Sequence, residues 1–106
     1  MVLQRQREVS FAIDDEYLQY LEAERHLFAW CLMRIDGFSA SDARAEALKR
    51  YPWESSDDEY REMVFHRTAW TWAIIRIFGH EYREGAEIDP SIRAAYEVEC
   101  EWVHPV

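Results

Sequence analysis

The chain predicts an all-α fold of four main helices, arranged as two long–short helical hairpins. Three observations lead there. Apolar residues recur at helical spacing over long windows, and no segment of any length alternates strictly between apolar and polar residues. Capping residues stand at the candidate helix starts, and glycine or proline stands at the candidate ends. Three Gly and three Pro are too few for a turn-rich β-sandwich or a glycine-rich phosphate loop.

Residues 1–13 form a polar lead-in that closes on Phe11 and Ile13. Asp14 is the expected N-cap of a first helix, about 14–36, with Asp15 and Glu16 in its first turn, where the helix dipole favours negative charge. Tyr17, Leu21, Phe28, Cys31, Leu32 and Ile35 make one stripe along it, and Gly37 supplies a left-handed stop. Ser39 and Asp42 have capping-box spacing and open a short second helix, about 40–51, which Pro52 ends. Trp53 sits in the loop that follows.

Ser56 and Glu59 resemble another capping box, so a third helix is expected over about 57–78, closed by Gly79. After a connector, Asp89-Pro90 reads as an N-cap followed by proline in the first turn. The fourth helix, about 90–101, then places Ile92, Tyr96 and Cys100 four residues apart. The tail WVHPV is apolar enough to pack back on the body.

The two long helices resemble each other. Asp14-Asp15-Glu16-Tyr17 recurs as Asp57-Asp58-Glu59-Tyr60, an offset of 43. Trp30 to Gly37 recurs as Trp72 to Gly79, an offset of 42, and the two blocks share Trp-x-x-x-Arg-Ile-x-Gly. A pseudo-two-fold packing would bring Glu24 of the first apolar stripe to Arg67 of the third helix. The expectation is a partly buried Glu24–Arg67 ion pair, which specifies register more than it stabilises. The alternative is two stripe-edge residues reaching separately into water.

Composition bounds function. The 106 residues suit one helical domain, 1–106. With 49% hydrophobic and 15% aromatic residues the chain can build a core. Asp and Glu number 21 against 12 Lys and Arg, a net charge of −9. That balance opposes direct nonspecific nucleic-acid binding and binding to an anionic membrane. The opening MVLQRQREVS lacks the apolar region of a signal peptide. The longest apolar run, Leu27 to Met33, is seven residues where a membrane span needs about 20. A cytoplasmic location is expected, with Cys31 and Cys100 as reduced core residues.

No constellation commits the chain to catalysis, and no cofactor or metal is assigned. Glu22-x-x-x-His26 and Glu62-x-x-x-His66 have the spacing of two ligands on one helical face, but both pairs lie off the apolar stripes and read as surface pairs. No Gly-x-Ser-x-Gly is present. The aromatics say more. Phe65 and Trp72 make a second apolar face on the third helix, and Trp30 falls outside the main stripe of the first. A helix apolar on two sides is either central in the fold or buried in an interface. Phe65, Trp72, Trp30 and the loop residue Trp53 are therefore the candidate partner-binding residues. The partner is a protein or a second copy of this chain, as a homodimer.

Seven acids, Glu81, Glu84, Glu87, Asp89, Glu97, Glu99 and Glu101, crowd residues 80–106 against Arg83 and Arg93. This segment is either a solvated surface or a face for a basic partner. The expected function is an acidic, non-catalytic protein-interaction module of bacterial or phage type. Its specific form is an inhibitor of a basic partner, of the anti-restriction or anti-CRISPR kind. The alternative is a small metal-binding or catalytic bundle that uses the Glu–His pairs.

Overall fold

The computed structural model describes residues 14–79 and 88–104. Four α-helices make up the described chain, and no strand occurs among the described residues. They are α1 (Asp14–Asp36), α2 (Ala40–Arg50), α3 (Ala69–Phe78) and α4 (Pro90–Val103), with a 3-10 turn at Met63–His66. The lead-in, most of the connector and the last two residues lie outside the described residues.

Every other helix packs on α1. The expected all-α class and the first long–short hairpin, α1 with α2, are present, while α3 is short at 10 residues and packs with α4 on the same 23-residue α1, which makes α1 a hub. The predicted stripe of α1 is buried at Tyr17, Leu21, Phe28, Cys31 and Leu32, with Ile35 packed at its margin. Leu27 and Trp30 are buried too, so α1 is covered on more than one side. Each large apolar side chain so removed from water contributes about 1.5–3 kcal/mol. The small residues Ala43 and Ala47, both fully buried, form the contact face of α2. α3 contributes Ala69, Trp70, Ala73 and Ile74, and α4 contributes Tyr96.

Local chemistry explains the helix ends. Ser39 accepts a hydrogen bond from the Asp42 amide at 3.1 Å and caps α2 as its spacing predicts. Asp89 accepts from the Ser91 amide at 2.9 Å, with Pro90 opening α4. That bond holds the Asp89 carboxyl below its ordinary range. Gly37 and Gly79 take φ of 74° and 91°, left-handed values that suit glycine where a helix stops.

The third helix differs from its expected bounds, beginning at Ala69 instead of about 57. Side chains compete with the helix between Ser55 and Tyr60. Ser55 Oγ accepts from the Asp57 amide at 3.2 Å, and Asp58 Oδ1 accepts from the Tyr60 amide at 2.8 Å. These local bonds offer the backbone turns in place of helix. The segment is also tied to α1. Buried Arg61 donates to Asp14 at 3.1 Å and lies 4.1 Å over the Tyr17 ring, while the Tyr17 hydroxyl accepts from the Glu54 amide at 3.0 Å. Thr68 then caps α3, accepting from the Thr71 amide at 3.1 Å.

The sequence repeat therefore takes two structures. Its second block ends a helix on glycine both times, but Asp14–Tyr17 is helical and Asp57–Tyr60 is not. Replacing Thr68 by Ala tests the break. Loss of a helix cap is expected to lower stability by about 1 kcal/mol in urea unfolding. A continuous helix through residue 68 would instead gain slightly from the better helix former.

Candidate functional site

α1 carries a carboxylate in the middle of its buried face. Glu24 is 7% exposed, among residues that are otherwise apolar. Its partner is His104, 80 residues away, whose Nε2–H donates to Oε2 at 2.6 Å. His104 is the C-cap residue of α4, and its ring lies 4.5 Å from that of Tyr20. A second pair runs the other way across the same interface: His26 Nε2 of α1 meets Glu99 Oε2 of α4 at 2.5 Å. Two reciprocal Glu–His contacts thus hold α4 against α1.

This corrects the expected Glu24–Arg67 pair. Because α3 starts at Ala69, Arg67 is not at mid-helix but at the end of the 3-10 turn, with its guanidinium 5.5 Å over the Trp72 ring. The Glu22–His26 pair is also divided. Glu22 is taken by Arg25 at 2.6 Å and Arg44 at 3.1 Å, with the Arg44 contact foremost in holding its carboxyl below the ordinary range. His26, as described, faces α4. Among the described residues no group of three His, Cys, Asp or Glu is placed to hold a metal ion. Burial pushes the Cys31 and Cys100 thiols up, opposite to the shift that activates a cysteine nucleophile.

The four candidate anchors separate. Phe65 is buried among Tyr17, Tyr20 and Tyr51, with ring distances of 6.3, 4.7 and 6.2 Å. Trp30 is buried too, with Tyr96 of α4 6.2 Å away and the Arg34 guanidinium 4.7 Å over its ring. Neither is a surface anchor, because α1 is the hub and its second apolar face is covered from within. Trp72 is half-buried, and only Trp53 of the four is exposed, 6.5 Å from Tyr17 in edge contact.

Two surface features remain. The first is an open cleft of about 530 Å³ beside Trp72, between the end of α2, the loop after it and the 3-10 turn. Trp72 is fixed by its indole N–H, which donates to the Val64 carbonyl at 2.8 Å. The Arg50 guanidinium stacks 4.0 Å over the same ring. Lys49, His66 and Arg67 also line the cleft, with Glu54 as its carboxylate, which burial raises above its ordinary range.

The second feature is the outward face of α4. Trp102 is 76% exposed and Val98 56% exposed, one helical turn apart. Exposed Glu97, paired with Arg93 at 3.0 Å, and exposed Glu101 run along one edge of them, and Ala94 continues the face. The WVHPV tail was expected to pack back on the body; Val103 does, but Trp102 faces solvent. The signal was the 94-98-102 spacing, which sits opposite Ile92, Tyr96 and Val103.

Removing His104 tests the α1–α4 contact. His104→Ala leaves the Glu24 carboxylate buried without its imidazole and is expected to cost about 1–3 kcal/mol in chemical unfolding. Glu24→Gln in that background should recover part of the loss, since an amide is less costly to bury than a charge. Losses that simply add would contradict the contact. Compared with protein-family models, with curated proteins and with solved structures, the chain has no match.

Proposed function

We propose that the protein is a non-catalytic interaction module that docks a basic protein partner on the outward face of α4. One observation carries the reading: Trp102, the most exposed large apolar side chain among the described residues, stands with Val98 beside an edge of α4 that carries Glu97 and Glu101. Isolated exposed apolar residues are ordinary, but an aromatic beside an aliphatic along an acidic edge fits an interface. The apolar pair supplies buried area, and the carboxylates select a cationic surface and speed encounter.

The inner face of α4 is engaged by α1 through Tyr96, Glu99 and His104, so the helix is held with its outer side presented. A net charge of −9 extends the attraction beyond contact. The role that fits is occupation of a basic surface, as an inhibitor of a nucleic-acid-binding protein of the anti-restriction or anti-CRISPR kind would do. The reading carries a cytoplasmic setting, where the free thiols Cys31 and Cys100 stay reduced. No described helix is long and apolar enough to cross a membrane.

A synthetic amphipathic Lys–Leu helix serves as the probe. The wild-type chain should bind it, and Val98→Ser with Trp102→Ser should weaken binding at least about tenfold. Raising salt from about 50 to 500 mM should weaken it further, because exposed charges are screened. Binding that ignores both changes would contradict the proposal. So would light scattering that shows a dimer abolished by the same two substitutions, because the face would then belong to a second copy.

A further inference from the structure

We propose that the cleft beside Trp72 is a binding site for a phosphate monoester carried on an apolar or aromatic body. The proposal does not rest on the α4 reading, since the two features use different helices and different residues.

In this acidic chain several arginines are taken up by carboxylates. Arg25 and Arg44 meet Glu22, Arg61 meets Asp14, Arg76 meets Glu46, and Arg93 meets Glu97. Arg50, like Arg34 on Trp30, pairs with no carboxylate among the described residues; its guanidinium is stacked at 4.0 Å on Trp72, at the edge of an open cleft. Stacking occupies the face of the guanidinium and leaves its in-plane N–H donors available at the edge. Those donors form a fork that matches two oxygens of a phosphate or carboxylate. Trp72 cannot easily turn away, because its indole N–H is held by the Val64 carbonyl at 2.8 Å. The donor set is thus orientated before any ligand arrives.

Neighbouring charge selects the anion. Lys49 and Arg67 line the same cleft, and Arg67 shares the Trp72 ring at 5.5 Å. Lys49 stands 3.5 Å from Glu46, but Glu46 also receives Arg76 at 2.8 Å, and the Lys49 side chain stays 75% exposed. Arg50, Lys49 and Arg67 line the cleft together with one carboxylate, Glu54, and His66. A phosphate monoester carries about −1.5 to −2 charges at neutral pH, which suits this excess better than the single charge of a carboxylate. In a chain of net charge −9 such a cationic focus is local, so an anion finds attraction there and repulsion over much of the surface. Apolar side chains complete the cleft. Met63 and Tyr60 are 53% and 63% exposed beside it, and Pro52 and Val64 line it, so an apolar body has surface to cover. The volume of about 530 Å³ lies within the range of small-ligand sites.

Phenyl phosphate is the probe, titrated into the full chain at low salt and followed by calorimetry and by the indole N–H resonance of Trp72. Saturable binding with a shift of that resonance is expected. Arg50→Gln should weaken binding at least about tenfold, since a charged bidentate contact is lost. Lys49→Gln should weaken it about threefold. Because the Lys49 side chain is mostly exposed, that variant tests the site even if Arg50→Gln disturbs the stack. Benzoate should bind more weakly than phenyl phosphate. Three results would overturn the proposal: no binding up to about 10 mM, binding that neither variant alters, or inorganic phosphate and sulfate binding as well as phenyl phosphate, an adventitious ion only.

Discussion

Glu24 places a carboxylate within the buried surface of the helix that every other helix packs against. A charge there is costly unless it is met by a hydrogen-bond donor. The donor comes from the far end of the chain, where His104 closes α4 and reaches Oε2. That contact sets where α4 ends on α1, and the His26–Glu99 pair sets it again on the same helix pair. With its position set twice, α4 has a defined inner side, so Tyr96 packs between Trp30 and Trp70 at 6.2 and 5.2 Å. It also has a defined outer side, where Val98 and Trp102 stand exposed.

The other end of α1 is organised by a different interaction. Tyr17 receives the Glu54 amide on its hydroxyl and the Arg61 guanidinium on its ring. Together with the Asp14–Arg61 pair, these contacts fasten the non-helical stretch after α2 onto the start of α1. Arg25 adds a third fixing point by donating to the Tyr51 carbonyl at 2.8 Å, just where α2 stops. Tyr51 itself is fully buried between Phe28 and Phe65, and burial pushes its hydroxyl up. The cleft beside Trp72 follows from this arrangement. Fastening the loop leaves a gap between the end of α2 and the 3-10 turn, with Arg50 on one side of it and Arg67 on the other element.

What was legible in the sequence was local. Ser39, Asp89-Pro90 and the two stop glycines act within a few residues, and the structure uses them as their types demand. The main stripe of α1 was legible because its period is a property of the helix alone. The start of the third helix was not, because Ser56 and Glu59 have the spacing of a capping box while Ser55 and Asp58 make turns instead. Thr68 three residues before Thr71 was the signal for the true start. The fate of the aromatics was not legible either. Two apolar faces on one helix do not reveal whether neighbours or partners cover them, so Phe65 and Trp30 read as anchors while Trp102 read as part of a tail that packs back. Glu24 announced that it needed a partner, but the choice of His104 over Arg67 depends on tertiary packing across most of the chain.

Because α1 is the hub, residue-resolved native-state hydrogen exchange tests this architecture most directly. The amides of Leu27 to Leu32 should exchange only through global unfolding, with α4 opening at lower free energy and residues 57–62 exchanging fastest among the described residues. Slow, cooperative exchange from residue 57 through residue 78, or earlier opening of α1 than of α4, would contradict it.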